Sequence, residues 1–313
     1  MSARPSLLVI LQPILADHMA KLLQKSDLNV LVHGRDRYDP NAIDYALSFR
    51  PPPGLLATLP KLKAVLSLGA GVDGFFADAD FPKHVPLVRF VDDTLSQELA
   101  QYIVMHVLIH HRAQRMFDAA QREHQWRQIL LPRRTEDTRV GILGLGEIGT
   151  VAARHLHALG FTVTGWSRTA KAVEGVKGFV GAGALDAFLA QSDVLVCVLP
   201  LTPATRGILN TATFAKLPKD AFVINVARGG HLIEDDLIAA IDSGHLSGAA
   251  LDVFQTEPLP AASPLWAHPK IAVTPHVAAI SDPHAGARSV LDSIRRSEAG
   301  EPLINVVDLT RGY

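Results

Sequence analysis

The chain has 313 residues, 48% hydrophobic and 19% charged, with a formal net charge of −1 at pH 7. That length favours two lobes over one, and the near-neutral balance gives no sign of a nucleic-acid or membrane partner. The single cysteine, the lack of a signal-peptide layout and the lack of any apolar stretch near ~18 residues together lead us to expect a cytoplasmic protein.

In chain order, apolar runs at 7–11, 30–33, 45–49, 64–68 and 87–90 read as short strands. Helical patterns at 14–25 and 41–44 lie between the early ones, which predicts a parallel sheet with crossover helices. Prolines at 51–53 and Gly54 end the third strand. A longer helical pattern over 95–117 has apolar or aromatic residues at 95, 99, 102, 103, 107 and 109. Its His106, His110 and His111 are expected at a helix surface or interface, and no metal is expected. A polar, Arg-rich connection over 121–139 follows.

The run 140–143 then reads as a buried strand ending in Gly144, Gly146 and Gly149, which fit G-x-G-x-x-G. The first glycine permits a tight turn, the second lets backbone approach a pyrophosphate, and the third lets the next helix (147–159) pack on the strand. That helix aims its positive end at the phosphates, so a dinucleotide site is expected. Further strands are expected at 162–166, 193–199, 221–226, 248–253 and 271–274, with a last helix over 282–297 and an apolar tail over 303–309. Cys197 lies in the run 193–199 and reads as a small core hydrophobe. The expected fold class is α/β, with two Rossmann-like or flavodoxin-like lobes built on parallel sheets. The central domain (101–282) is inserted in a discontinuous one (1–100 with 283–313). Helices 95–117 and 282–297 would bridge the lobes around a ligand cleft.

In an NAD-binding unit an acidic residue about 20 positions past the glycines holds the ribose hydroxyls. Here the second strand ends in Ser167, Arg168, Thr169 and Lys171, and the nearest downstream carboxylate is Glu174. Those donors and charges suit a 2′-phosphate, so NADP(H) is preferred, with NAD(H) possible. Arg228, Asp252, Glu257 and His276 follow at or just past strand ends, where parallel sheets collect ligands. They suit hydride transfer to a carbonyl beside a carboxylate. His276 would be the general acid, and the base in reverse. Glu257 would orient its ring, and Arg228 would hold the carboxylate and polarise the carbonyl.

With these residues, and with Leu66-Ser-Leu-Gly-Ala-Gly-Val-Asp73, Leu199-Pro-Leu-Thr-Pro203 and Thr274-Pro-His276, the chain resembles the D-isomer-specific 2-hydroxyacid dehydrogenases. Its closest likeness within them is to the glyoxylate/hydroxypyruvate reductase A branch. The resemblance implies an Arg228–Glu257–His276 triad and a nicotinamide carboxamide on Asp252. Further cofactor contacts are expected at Leu145, Glu147, Ile148, Leu199, Pro200, Thr205, Val226 and Ala227. Substrate contacts are expected at Phe49, Arg50, Leu68, Gly69, Ala70, Gly71 and Trp126, with the amides near Ala70 and Gly71 taking the substrate carboxylate. The flanking lobe is then the substrate domain and the central one the cofactor domain. The family usually forms homodimers with an aromatic from the partner near the active site; Trp126 stands where that residue would be, or is a local packing anchor. Close relatives often carry Trp-His where this chain has Phe49-Arg50.

The reading is an NADPH-preferring reductase of glyoxylate and hydroxypyruvate. Alternatives are a dehydrogenase of a bulkier 2-oxo acid and, in another class, a nucleotide-sensing corepressor-like binding protein. Glu257 argues against a formate dehydrogenase, which pairs the histidine with glutamine. The lack of Tyr-x-x-x-Lys argues against a short-chain dehydrogenase.

Overall fold

The structure is a computed structural model and describes residues 4–129, 133–280 and 282–309. Part of the expected 121–139 connection and both chain ends lie outside the described residues. The chain divides into two units, Met1–Leu95 with Ser281–Tyr313, and Ser96–Ile280.

The first unit contains β1 (Ser6–Ile10), α1 (Pro13–Leu23), β2 (Asn29–Val32), β3 (Tyr45–Ser48), β4 (Ala64–Ser67), α2 (Asp73–Phe76) and β5 (Leu87–Val88), followed much later by the helix Pro283–Glu298. All pairings are parallel, in the order β2-β1-β3-β4-β5. Both faces are buried, which is why the strands read as unbroken apolar runs. Leu7, Val9 and Leu47 pack with Met19 of α1 and Val290 and Ile294 of the last helix, while Leu8, Ile10, Ala46 and Val65 pack on the other side. The expected helix at 41–44 is instead a 3₁₀ turn, Pro40–Ala42, begun by Asp39 accepting from the Asn41 amide. Five residues between an Asx cap and the next strand are too few to propagate a helix.

The second unit continues from α3 (Asp93–His111) through α4 (Gln114–Arg122), β6 (Arg139–Leu143), α5 (Glu147–Ala158), β7 (Thr162–Ser167), β8 (Val176–Val180), α6 (Leu185–Leu189) and β9 (Val194–Cys197). It ends with α7 (Thr211–Phe214), β10 (Ala221–Asn225), α8 (Glu234–Asp242), β11 (Leu246–Leu251) and β12 (Ile271–Val273). Its parallel sheet runs β12-β11-β10-β9-β6-β7-β8. Strand order therefore reverses between β6 and β9, and the loops after those two strands form the crevice where such sheets bind ligands.

Three expectations change here. The long helix over 95–117 is two helices, because Ala113 turns the chain with a left-handed φ of 53°. Apolar spacing runs on through Met116 and Phe117, so nothing in the sequence marks that turn. Strand β8 was not expected; it is an edge strand with Lys177 and Gly178 exposed, and it lacks an apolar run. The α3 histidines pack inward: His106 is 6% exposed, and His110 stacks on Phe222 at 4.2 Å. Burial pushes the His110 imidazole down to about 4, so it packs as a neutral ring. Cys197 is fully buried, which raises its thiol to about 12; it behaves as a core hydrophobe.

Candidate active site

At the end of β6, Gly144 adopts φ 109°, a turn only glycine makes easily. A Cβ on Gly149 would lie 1.9 Å from the Gly144 carbonyl oxygen, so α5 packs on this turn only without a side chain there. Gly146 is different. A Cβ on it would meet nothing within 4 Å, and its φ of −82° is ordinary. Nothing inside the protein demands glycine there, so its bareness is what leaves room for a group approaching from outside. It is also the N-cap of α5 with no side-chain cap, which leaves first-turn N–H groups for an anion. Leu145 and Ile148 turn their side chains into the core, where Leu145 covers Gly165, while Glu147 is exposed.

After β7 the turn is fixed from within. Ser167 donates its hydroxyl to the Thr169 carbonyl at 2.7 Å, and Trp166 Nε1 donates to the Gly181 carbonyl at 2.9 Å. Arg168, Thr169 and Lys171 are exposed on it, and Glu174 is the first carboxylate beyond. After β9, Leu199 is buried near Gly144, and Thr205 donates to the Pro200 carbonyl at 2.7 Å, closing that loop.

The loops after β10, β11 and β12 carry the three expected catalytic side chains, and two of them, Glu257 and His276, are in contact. Val226 and Ala227 are buried at the end of β10. Asn225 Nδ2 donates to the Arg228 carbonyl at 3.1 Å, and Asn225 Oδ1 accepts from the Ala227 amide at 3.2 Å. Arg228 Nη1 donates to the Ala227 carbonyl at 2.7 Å. A Cβ on Gly229 would sit 1.8 Å from the Phe254 carbonyl carbon; that close approach brings the Arg228 loop against the loop carrying Glu257. Glu257 Oε1 accepts from the Phe254 amide at 3.0 Å, and its Oε2 lies 2.9 Å from His276 Nδ1. Both side chains are partly exposed, at 23% and 34%, as groups meeting a substrate must be.

His276 has a left-handed φ of 55°, and its amide donates to the Asp252 carbonyl at 2.8 Å. The Asp252 carboxylate, 1% exposed, accepts from the Thr274 hydroxyl (2.6 Å) and the Val277 amide (2.9 Å) on Oδ1, and from the Ala278 amide (3.0 Å) on Oδ2. Acceptor capacity remains on Oδ2.

Sequence reasoning gave Asn225, Thr274 and His231 no role of their own. The His231 ring is fully buried, with Nδ1 3.1 Å from the Arg228 carbonyl and Nε2 3.2 Å from the Pro200 carbonyl. It joins the loops after β9 and β10. Only its place next to Gly229 and Gly230, past a strand end, hints at this.

In the first unit, β3 and β4 run side by side, and the Leu68 amide donates to the Ser48 carbonyl at 3.0 Å. A Cβ on Gly69 would lie 2.3 Å from the Phe49 ring, and one on Gly74 2.8 Å from Arg50 Cγ. The Arg50 guanidinium sits 5.6 Å over the Phe49 ring. Leu68 is 5% exposed and packs against Gly286, beneath the loop rather than on it. Among the described residues, no protein acceptor takes the amides of Ala70 or Gly71. Trp126 is 91% exposed, so it is not a local packing anchor. Among the described residues no group of three or more His, Cys, Asp or Glu is placed to hold a metal.

Residues 104–278 match the family described as D-isomer specific 2-hydroxyacid dehydrogenase, NAD binding domain. The glyoxylate/hydroxypyruvate reductase A of Yersinia enterocolitica is 41% identical over 282 residues, 88% of this chain and 90% of that protein. That of Serratia proteamaculans is 42% identical over 280 residues, 88% of this chain and 89% of that protein. A D-isomer specific 2-hydroxyacid dehydrogenase from Xanthobacter autotrophicus, solved with NADPH and MES, superposes with a TM-score of 0.93 at 45% identity, covering 99% of this chain and 100% of that one. An NADPH-dependent glyoxylate/hydroxypyruvate reductase from Sinorhizobium meliloti, solved with NADP and sulfate, gives 0.93 at 42% identity, with the same coverage.

Proposed function

Because the chain belongs to the D-isomer specific 2-hydroxyacid dehydrogenase family and is an oxidoreductase, we propose that it reduces small 2-oxo acids, glyoxylate and hydroxypyruvate foremost, with NADPH. The observation that carries this reading is the His276 Nδ1–Glu257 pair at 2.9 Å, set beside the Arg228 loop. With Nδ1 engaged by Glu257, His276 Nε2 is the nitrogen that gives a proton to the alkoxide oxygen in reduction and removes it in oxidation. Glu257, held at its other oxygen by the Phe254 amide, fixes the plane of the ring. Arg228 binds the substrate carboxylate and polarises the carbonyl. The bound nicotinamide supplies the hydride.

The second unit is the cofactor domain and the first the substrate domain. The bare Gly146, the uncapped start of α5 and the buried carboxylate of Asp252 all fit a dinucleotide. The exposed Arg168 and Lys171, on a turn without a carboxylate before Glu174, favour a 2′-phosphate over bare ribose hydroxyls. The amides of Ala70 and Gly71 take the substrate carboxylate, with Phe49 and Arg50 beside them. Homodimerisation through the cofactor domain suits an open apolar hollow of about 660 Å³ where Met105 and Leu108 of α3 meet Leu159 beyond α5, and suits the exposed Trp126. The buried lone cysteine suits a reducing compartment, and we place the enzyme in the cytoplasm.

The test is a panel of 2-oxo acids with NADPH and with NADH, following the loss of reduced-nicotinamide absorbance. Turnover of glyoxylate or hydroxypyruvate with a preference for NADPH supports the reading. No turnover across the panel, with NADPH still bound, would favour a nucleotide-sensing role.

A further inference from the structure

A hydrogen-bond chain runs from α3 to Asp252, the carboxylate already assigned to the dinucleotide, and two of its members, Tyr102 and Thr274, have no part in the proposed chemistry. The Tyr102 hydroxyl, on α3, is 2.5 Å from Thr274 Oγ1, and that oxygen is 2.6 Å from Asp252 Oδ1. A threonine hydroxyl carries one proton, and a carboxylate only accepts. Thr274 therefore donates to Asp252, and Tyr102 must be the donor to Thr274. The direction of the chain is set by its charged end, and each link polarises the next.

Asp252 then reaches round the catalytic histidine. It accepts from Thr274 on one side of His276 and from the Val277 and Ala278 amides on the other, while its own carbonyl takes the His276 amide at 2.8 Å. His276 sits at φ 55°, a region that a non-glycine residue holds only when its surroundings impose it. Burial raises the Tyr102 hydroxyl to about 12, so it remains a donor throughout the neutral range. Its ring lies 4.4 Å from that of His106, which fixes where the hydroxyl points.

We infer that Tyr102 is a positioning residue for His276, acting through Thr274 and Asp252 to hold the 274–278 turn that sets the imidazole on Glu257. This rests on the reading of His276 as proton donor. The test is a double-mutant cycle on Tyr102→Phe and Thr274→Val, read in kcat and in hydrogen exchange of the peptide covering 274–278, with Thr274→Ser as the conservative variant. Tyr102→Phe keeps the ring and its contact with His106 but removes the proton. It should lower kcat roughly tenfold, the size expected for a hydrogen bond in a charged network, and should speed exchange across 274–278. Thr274→Ser should behave nearly as the parent. Adding Tyr102→Phe to Thr274→Val should cost nothing further, because the link is already cut. Unchanged kcat and exchange in Tyr102→Phe, or losses that multiply in the double variant, would overturn the inference. If the parent turned over no 2-oxo acid, the functional reading would fall, and the exchange arm would still decide the role of Tyr102.

Discussion

Alanine at Gly146 and at Gly149 should separate ligand approach from packing, although both glycines belong to one motif. At Gly149 the new methyl would lie 1.9 Å from the Gly144 carbonyl oxygen and 3.2 Å from Val198 Cγ2, against an ordinary contact of 3.4 Å or more. The start of α5 must move by roughly 1.5 Å to relieve this. Overpacking of that kind costs about 1–3 kcal/mol, which lowers the melting temperature by roughly 2–4 °C per kcal/mol in a unit of this size. At Gly146 the methyl meets nothing within 4 Å, and a φ of −82° suits alanine. The unfolded chain loses freedom, so stability should hold or rise by about 0.4–1 kcal/mol. If the pyrophosphate approaches at Gly146 as proposed, the same methyl would stand in its way, and losing one charge-assisted contact should weaken NADPH at least roughly tenfold. Thermal melts followed by circular dichroism, together with fluorescence titration of NADPH, read both effects. An unchanged NADPH Kd in Gly146→Ala would refute the claim that this glycine exists for a ligand. Parental melting of Gly149→Ala would refute the packing argument.

The remaining predictions concern charge. Burial alone would raise the Asp193 carboxyl, but Arg139, which grips it at 2.7 and 2.8 Å, and Arg133 outweigh that and hold it at about 2 against an ordinary 3.8. Its contribution, about 2 kcal/mol, is fully present above pH 3.8 and is lost as pH falls through about 2. Asp193→Asn should therefore be less stable by that amount in neutral urea melts, with the gap narrowing on acidification; a constant gap would contradict the sign. Arg168→Asp should shift the NADPH/NADH ratio of kcat/KM toward NADH, and an unchanged ratio would remove Arg168 from the 2′-phosphate site. His276→Ala should lower kcat by ~10²–10⁴-fold with little change in NADPH affinity, as separate kinetic and binding titrations can check. Arg228→Lys should raise KM and slow turnover, because a lysine cannot reproduce bidentate geometry; full activity in steady-state kinetics would show that the fork is not used.

Much of the fold was legible because both sheets are buried on both faces, so strands such as β1, β6 and β10 stand out as unbroken apolar runs. Strand β8 escaped notice for the opposite reason: it is an edge strand, exposed along most of its length. The break between α3 and α4 escaped because Ala113 makes a left-handed turn without a glycine to mark it.

The site divides in the same way. Residue type and spacing alone determined a glycine turn after one strand, a basic segment in place of an acid after the next, and an arginine, a glutamate and a histidine past successive strand ends, since each is a local consequence of where a strand stops. Tertiary structure decided what holds them. Gly229 pressed to 1.8 Å from Phe254 unites two loops, and His231 spans the carbonyls of Arg228 and Pro200. Tyr102 reaches Thr274 across 172 positions of chain. Such pairings leave no periodic trace, because they depend on how the sheet brings distant strand ends together rather than on any residue's neighbours in sequence.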